Sequence, residues 1–216
     1  MPQHFDSLGK ELNNIKGLKQ NPDATGFFLQ EVLRFYSIAG TLLTSDVCLT
    51  TSSTVDGRYL THVLSRALLE PYFTILYIFD DFSLMSARYE EQKNTFKDNY
   101  RKLMNDLNKP EWSNFMTQHG NKLEPADPTW KDLKKLPDVN TMLGYVKNHN
   151  GGTLQYLYPL YRITSFDTHG RSLGTIFESV FGKQCNFPIL DIEYAIELMA
   201  NEYLSLYNNL RTNKLI

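Results

Sequence analysis

Apolar residues fall at helical spacing along almost the whole chain, and nowhere do they alternate as in a strand. Phe5, Leu8, Leu12 and Ile15 mark a short amphipathic helix ended by Gly17 and Asn21-Pro22. A second helix starts near Asp23 and carries a wide apolar face from Phe28 through Val32, Phe35, Tyr36, Ala39, Leu42 and Leu43. It fades into the polar run Thr50 to Thr54. Asp56 is a candidate cap for a third helix reaching about Phe82. Its expected core face is Leu60, Val63, Leu64, Ala67, Leu68, Ile75, Leu76 and Phe79, with a kink expected at Pro71. A separate polar line on that helix joins Arg58, His62, Arg66 and Glu70 at steps of four.

Ala87 to Leu107 is highly charged, with Tyr89, Phe96, Tyr100, Leu103 and Leu107 as a thin apolar stripe, which describes a surface helix. Asn108-Lys109-Pro110 stops it, and a short helix with Trp112, Phe115 and Met116 follows. Residues 119–137 hold Pro125, Pro128 and Pro137 with Lys131, Lys134 and Lys135, and read as an irregular, mobile loop or partner surface. A capped helix from Asp138 carries Met142, Leu143 and Val146 and ends in Asn148 to Gly152. Leu154 to Phe181 reads as one long helix, with Pro159 as an alternative starting point. After a loop from Gln184 to Pro188, Asp191 caps a last helix through Ile192, Ala195, Ile196, Met199, Tyr203, Leu206 and Leu210. The expectation is an all-α bundle of about six to eight helices in a single domain, residues 1–216, with no repeat.

Composition narrows the function classes. Tyr and Phe, at 13 each, predict a largely aromatic core. A net charge of −2 and a pI near 6.2 argue against broad binding of duplex DNA, while leaving room for a local basic pocket. The two cysteines, Cys48 and Cys185, form no C-x-x-C pair, so neither a disulfide framework nor a thiolate zinc site is expected. No signal peptide is visible, and the longest apolar run, Pro71 to Phe79, is far below the roughly 18–20 residues of a membrane span. A cytoplasmic protein without a membrane partner is expected.

Candidate chemistry concentrates on the Leu154 to Phe181 stretch. Tyr161, Ser165 and His169 recur every fourth residue and share a helix face, with Arg162 alongside and Arg171 just beyond. Histidine exchanges protons near neutral pH, and arginine clamps a phosphate or carboxylate with two parallel bonds. The plainer reading is a buried helix whose polar groups satisfy one another. Arg66 and Glu70, one turn apart, are either an ordinary ion pair or an inward-facing pair that positions the later helix. No Glu has a His three residues on, Gly151-Gly152 lacks a following Lys, and no Ser sits in a nucleophile elbow. Neither a metal nor a cofactor is expected.

The spacing Arg66-x3-Glu70, followed by Tyr161-x3-Ser165-x3-His169-Gly170, resembles a bacterial all-helical family of unknown function; the likeness covers roughly Asp56 to Asn209. More distantly, Arg162-x6-His169 is similar to the R-x4–6-H motif of the HEPN superfamily. That resemblance implies an up-and-down helical core with extra helices, a homodimer, and metal-independent RNA cleavage in toxin or phage-defence systems. It would make His169 the proton-transfer group at the ribose 2′-hydroxyl and Arg162 the stabiliser of charge on the scissile phosphate. Arg66, Glu70, Tyr161 and Ser165 would form the supporting or substrate-binding shell. Active members typically have a polar residue after the motif arginine, where this chain has Ile163. The alternative is a non-catalytic helical module that binds a partner protein or a small ligand through the same polar pocket.

Overall fold

The computed structural model describes residues 2–146, 151–171, 173–185 and 190–216. Among these it is all-α, with nine α-helices and no strand. They are α1 (Gln3–Gly17), α2 (Ala24–Thr44), α3 (Val55–Phe79), α4 (Met85–Leu107), α5 (Ser113–His119), α6 (Val139–Tyr145), α7 (Gly151–Thr168), α8 (Leu173–Phe181) and α9 (Ile192–Thr212). The chain has one helix more than the expected maximum because the long late stretch is two helices. Contacts cluster into two units: residues 1–76 with 146–216, and residues 77–145.

The first unit holds the aromatic core. Phe5 stacks on Tyr36 at 4.3 Å between ring centres, and Tyr203 gathers Phe35, Tyr72 and Phe28 at 4.8, 5.9 and 6.3 Å. The caps fall where the sequence puts them. The Asp23 carboxylate accepts from the Gly26 amide at 2.9 Å, and Asp191 accepts from the Tyr194 amide at 2.8 Å. The start of α1 has no side-chain cap of its own; Glu197 of α9 accepts from the His4 and Phe5 amides instead. The amide of Asp191 donates to the Tyr156 hydroxyl, which in turn donates to the Asp191 carbonyl, so α7 also fixes the start of α9. The proposed cap Asp56 and the stretch Asn148 to Asn150 lie outside what is described of side chains or backbone.

Two helices turn differently from their apolar patterns. The first half of α3 buries Thr61, His62, Ser65 and Arg66, whereas Leu60 and Ala67, expected in the core, are exposed. Polar partners on α7 decide this orientation, since a buried donor set is tolerated only when it is bonded. The helix continues through Pro71 to Phe79, and its second half buries Leu68, Leu69, Tyr72, Phe73 and Ile75. The Tyr72 hydroxyl is buried without a hydrogen-bond partner among the described residues, and burial pushes its pKa well up. Tyr72→Phe removes that orphan donor at constant ring packing, so stability should rise by about 1 kcal/mol. Urea denaturation checks this; a loss of stability would mean that the hydroxyl is bonded.

In the second unit α4 buries a polar stripe, Arg88, Glu91, Asn94 and Asp98, and leaves Phe96 and Leu103 exposed. Of the expected apolar stripe, Phe96 and Leu103 thus face outward, whereas Tyr89, Tyr100 and Leu107 are half-buried. Segment 119–137 supplies the reason. It contains a 3-10 turn at Pro128–Asp132, and it bonds back onto α4. Lys134 pairs with Glu91, Lys135 with Asp98 at 3.2 Å, the Asn94 amide donates to the Lys134 carbonyl, and the Leu136 amide donates to the Thr95 hydroxyl. Two of the three lysines that suggested a partner surface are thus engaged within the unit. Hydrogen bonds from Arg101, Lys102 and Lys135 hold the Asp98 carboxyl well below the usual carboxylate range.

Candidate functional site

The expected single helix from Leu154 to Phe181 breaks at Gly170, which has a φ of +67°. The Gly170 amide donates to the Asp167 carbonyl at 3.0 Å, and the Arg171 amide to the Phe166 carbonyl at 2.9 Å. These two bonds make a Schellman end, which glycine closes because it carries no side chain to clash in the left-handed region. Pro159 lies inside α7 and does not begin it.

Facing residues of α3 and α7 meet in a polar seam. Arg66, only 8% exposed, stacks its guanidinium 3.6 Å from the centre of the Tyr161 ring. It donates to the Tyr161 carbonyl at 3.1 Å, the Tyr161 hydroxyl at 2.7 Å and the Glu70 carboxylate at 2.9 Å, and also to the Ser165 hydroxyl. Ser165 in turn donates to the Tyr161 carbonyl at 2.8 Å, and Phe73 sets its ring edge-on to Tyr161 at 5.4 Å. Burial raises the Tyr161 pKa, with the Arg66 charge opposing, so its hydroxyl is a neutral donor and acceptor at physiological pH. Four of the six candidate residues, Arg66, Glu70, Tyr161 and Ser165, are therefore one interlocked clamp. The other two are not part of it. Arg162 and His169 are exposed, seven residues apart, or roughly 10 Å along a helix axis.

One turn from the clamp, the His62 ring Nδ1 bonds the Asp167 carboxylate at 2.7 Å, with both residues buried. The second Asp167 oxygen accepts from the Leu173 amide at 2.8 Å. The same carboxylate thus ties α7 to α3 and holds the first residue of α8. Sequence reasoning placed His62 on the polar line of α3 but did not connect it with Asp167. The signal was there: His62 lies one turn before Arg66, and Asp167 lies two residues after Ser165.

Beyond the break, α8 presents an open apolar face. Phe166, Leu173, Ile176, Phe177, Val180 and Phe181, with Gly170 and Arg171, line a cleft of about 570 Å³. Ile176, Val180 and Phe181 are each more than half exposed. Patches of this kind mark interaction surfaces more often than bare solvent-facing ones. No three His, Cys, Asp or Glu side chains among the described residues converge as a metal-holding group. No helix among them is long and apolar enough to cross a membrane. No family model, curated protein or solved structure matches this chain.

Proposed function

We propose that the protein is a homodimeric, HEPN-like ribonuclease that works without a metal, with Arg162 and His169 as its site. Its α3–α7 pair would be the centre of the up-and-down core, and a toxin or phage-defence role would follow from such a resemblance. The observation that carries the reading is the division of labour along α7. The clamp residues bond one another, whereas Arg162 and His169 are exposed, and His169 directly precedes Gly170 and Arg171 of the apolar cleft.

A second copy is the occupant of that face in this reading. An isologous contact sets the same patch against itself, so one two-fold axis near α8 would bring two copies of His169 and Arg162 towards each other. His169 would take the proton of a ribose 2′-hydroxyl as its oxygen attacks the adjacent phosphorus. The bond to the 5′-oxygen then breaks and that oxygen takes up a proton from water, leaving a cyclic phosphate and a 5′-hydroxyl. Arg162 would hold the charge that builds on the phosphoryl oxygens. The clamp would fix the pitch of α7 and so the place of both groups.

The test is cleavage of a mixed RNA pool in the presence of a chelator, comparing wild type with His169→Ala. Wild type should leave cyclic-phosphate ends, and the variant should lose about 10²- to 10⁴-fold in rate, as for other general-base deletions. Because His169 is exposed, the variant should melt with wild type. Intact RNA with both folded proteins overturns the reading. A second reading then stands, favoured by the apolar cleft and by Ile163 after the motif arginine: a non-catalytic module that takes an apolar partner or ligand between α7 and α8.

A further inference from the structure

The second unit contains a different cavity, of about 310 Å³, and a buried guanidinium with no carboxylate partner among the described residues. Arg88 lines it at 5% exposure. Its guanidinium lies 4.5 Å over the Tyr77 ring and donates to the Tyr77 carbonyl, the one acceptor it has among the described residues. The nearest carboxylate on its own helix is committed elsewhere. One Glu91 oxygen pairs with Lys134, and the other accepts from the Tyr77 hydroxyl at 2.8 Å. Burial, followed by that bond to Glu91, raises the Tyr77 pKa to about 12, so the hydroxyl stays a donor. Lys135, also in the lining, is paired with Asp98.

With Glu91 taken up by Lys134 and Tyr77, Arg88 has no carboxylate partner among the described residues, and it faces a cavity whose remaining walls include Leu84, Pro137 and Tyr145. A buried guanidinium without a carboxylate is expensive to hold, and its planar fork suits it to take one up from a ligand. The Tyr145 ring, edge-on to Tyr77 at 6.2 Å and 55% exposed, stands at the open side. The volume is at the lower end of the range of about 300–1,000 Å³ that small-molecule sites occupy.

We propose that this cavity is a binding site for a small organic carboxylate, with Arg88 taking the carboxylate and Tyr145, Leu84 and Pro137 taking an apolar body about the size of one aromatic ring. The guanidinium fork matches a carboxylate with two parallel bonds. The site is independent of Arg162 and His169, and binding here stands or falls apart from RNA cleavage.

Ligand-observed NMR on the full chain tests it, with phenylacetate as the probe and neutral phenylacetamide and doubly charged phenyl phosphate as comparisons. Phenylacetate should bind saturably with a Kd on the order of 1 mM, the amide at least about tenfold more weakly. Arg88→Met, which keeps the aliphatic stem, should weaken phenylacetate by about tenfold or more. Tyr145→Ala changes a wall that is 55% exposed, leaves the Arg88 side chain intact, and should weaken it several-fold. If Arg88→Met does not fold, the amide comparison and Tyr145→Ala decide. Absence of saturable binding up to about 20 mM, equal binding of the amide, or unchanged binding in the folded variants overturns the site. Tighter binding of phenyl phosphate overturns the assignment to a carboxylate.

Discussion

Asp167→Ala should lower the stability of the first unit by about 3–4 kcal/mol, which for a chain of this size means a fall in Tm of roughly 10 °C. The carboxylate is buried and satisfies two donors at once, the His62 ring and the Leu173 amide. Removing it leaves an imidazole N–H and a backbone N–H buried without an acceptor, and each such orphan carries a desolvation penalty. Asp167→Asn should lose less. Its amide oxygen can still accept from Leu173, while its NH₂ group cannot accept from Nδ1. Thermal melting ranks the two variants, and amide exchange locates the damage. Faster exchange at α8 than at α9 would show local detachment preceding global unfolding. An alanine variant within about 0.5 kcal/mol of wild type would mean that the seam contributes no net stability at this point.

Arg66→Ala should cost about 2–4 kcal/mol, from the lost stacking on Tyr161 and four hydrogen bonds. The penalty stays below that of the deepest buried pairs because the Glu70 side chain is 58% exposed and rehydrates when its partner goes. For the same reason Glu70→Gln should cost less than about 1 kcal/mol. Arg66→Lys should not restore the wild-type value. An ammonium cannot stack flat on the ring and serve the Tyr161 hydroxyl, Ser165 and Glu70 together. Urea midpoints at constant slope give all three values. A lysine variant as stable as wild type would show that charge alone, not the planar fork, holds α3 to α7.

Together the two predictions separate holding from chemistry. Changes at Asp167 and Arg66 should move stability first, whereas His169→Ala should move RNA cleavage and leave melting alone. The distinction follows from exposure, since a side chain in solvent makes few contacts to lose.

Much of this architecture is legible in the sequence by itself. Helix caps are local, so Asp138 and Asp191 could be named from their position before apolar runs, and each accepts a backbone amide three residues on, as does Asp23, near which the second helix is expected to start. The all-α class follows from periodicity, and the aromatic core from composition. Steps of four put Arg66 and Glu70 on one face of α3 and Tyr161 and Ser165 on one face of α7, while their meeting is implied only by the resemblance and is made by bonds between the two helices.

Other features depend on contacts between distant segments, which no local pattern contains. α4 turns its acids inward only because Lys134 and Lys135 come back to meet them, a pairing about forty residues apart in the chain. α3 buries His62 and Arg66 instead of Leu60 because Asp167, Tyr161 and Ser165 lie opposite. The break at Gly170 is the borderline case. A glycine within an apolar helical pattern is either tolerated or a stop, and here the capping bonds to the Phe166 and Asp167 carbonyls make it a stop. That stop leaves His169 at the open end of α7 and frees α8 to present its own face. The sequence alone determined the helical class and which polar residues line up on which helices. The tertiary structure decided which of them neutralise one another and which remain open to a ligand, because burial and long-range pairing set the free energy of every charge.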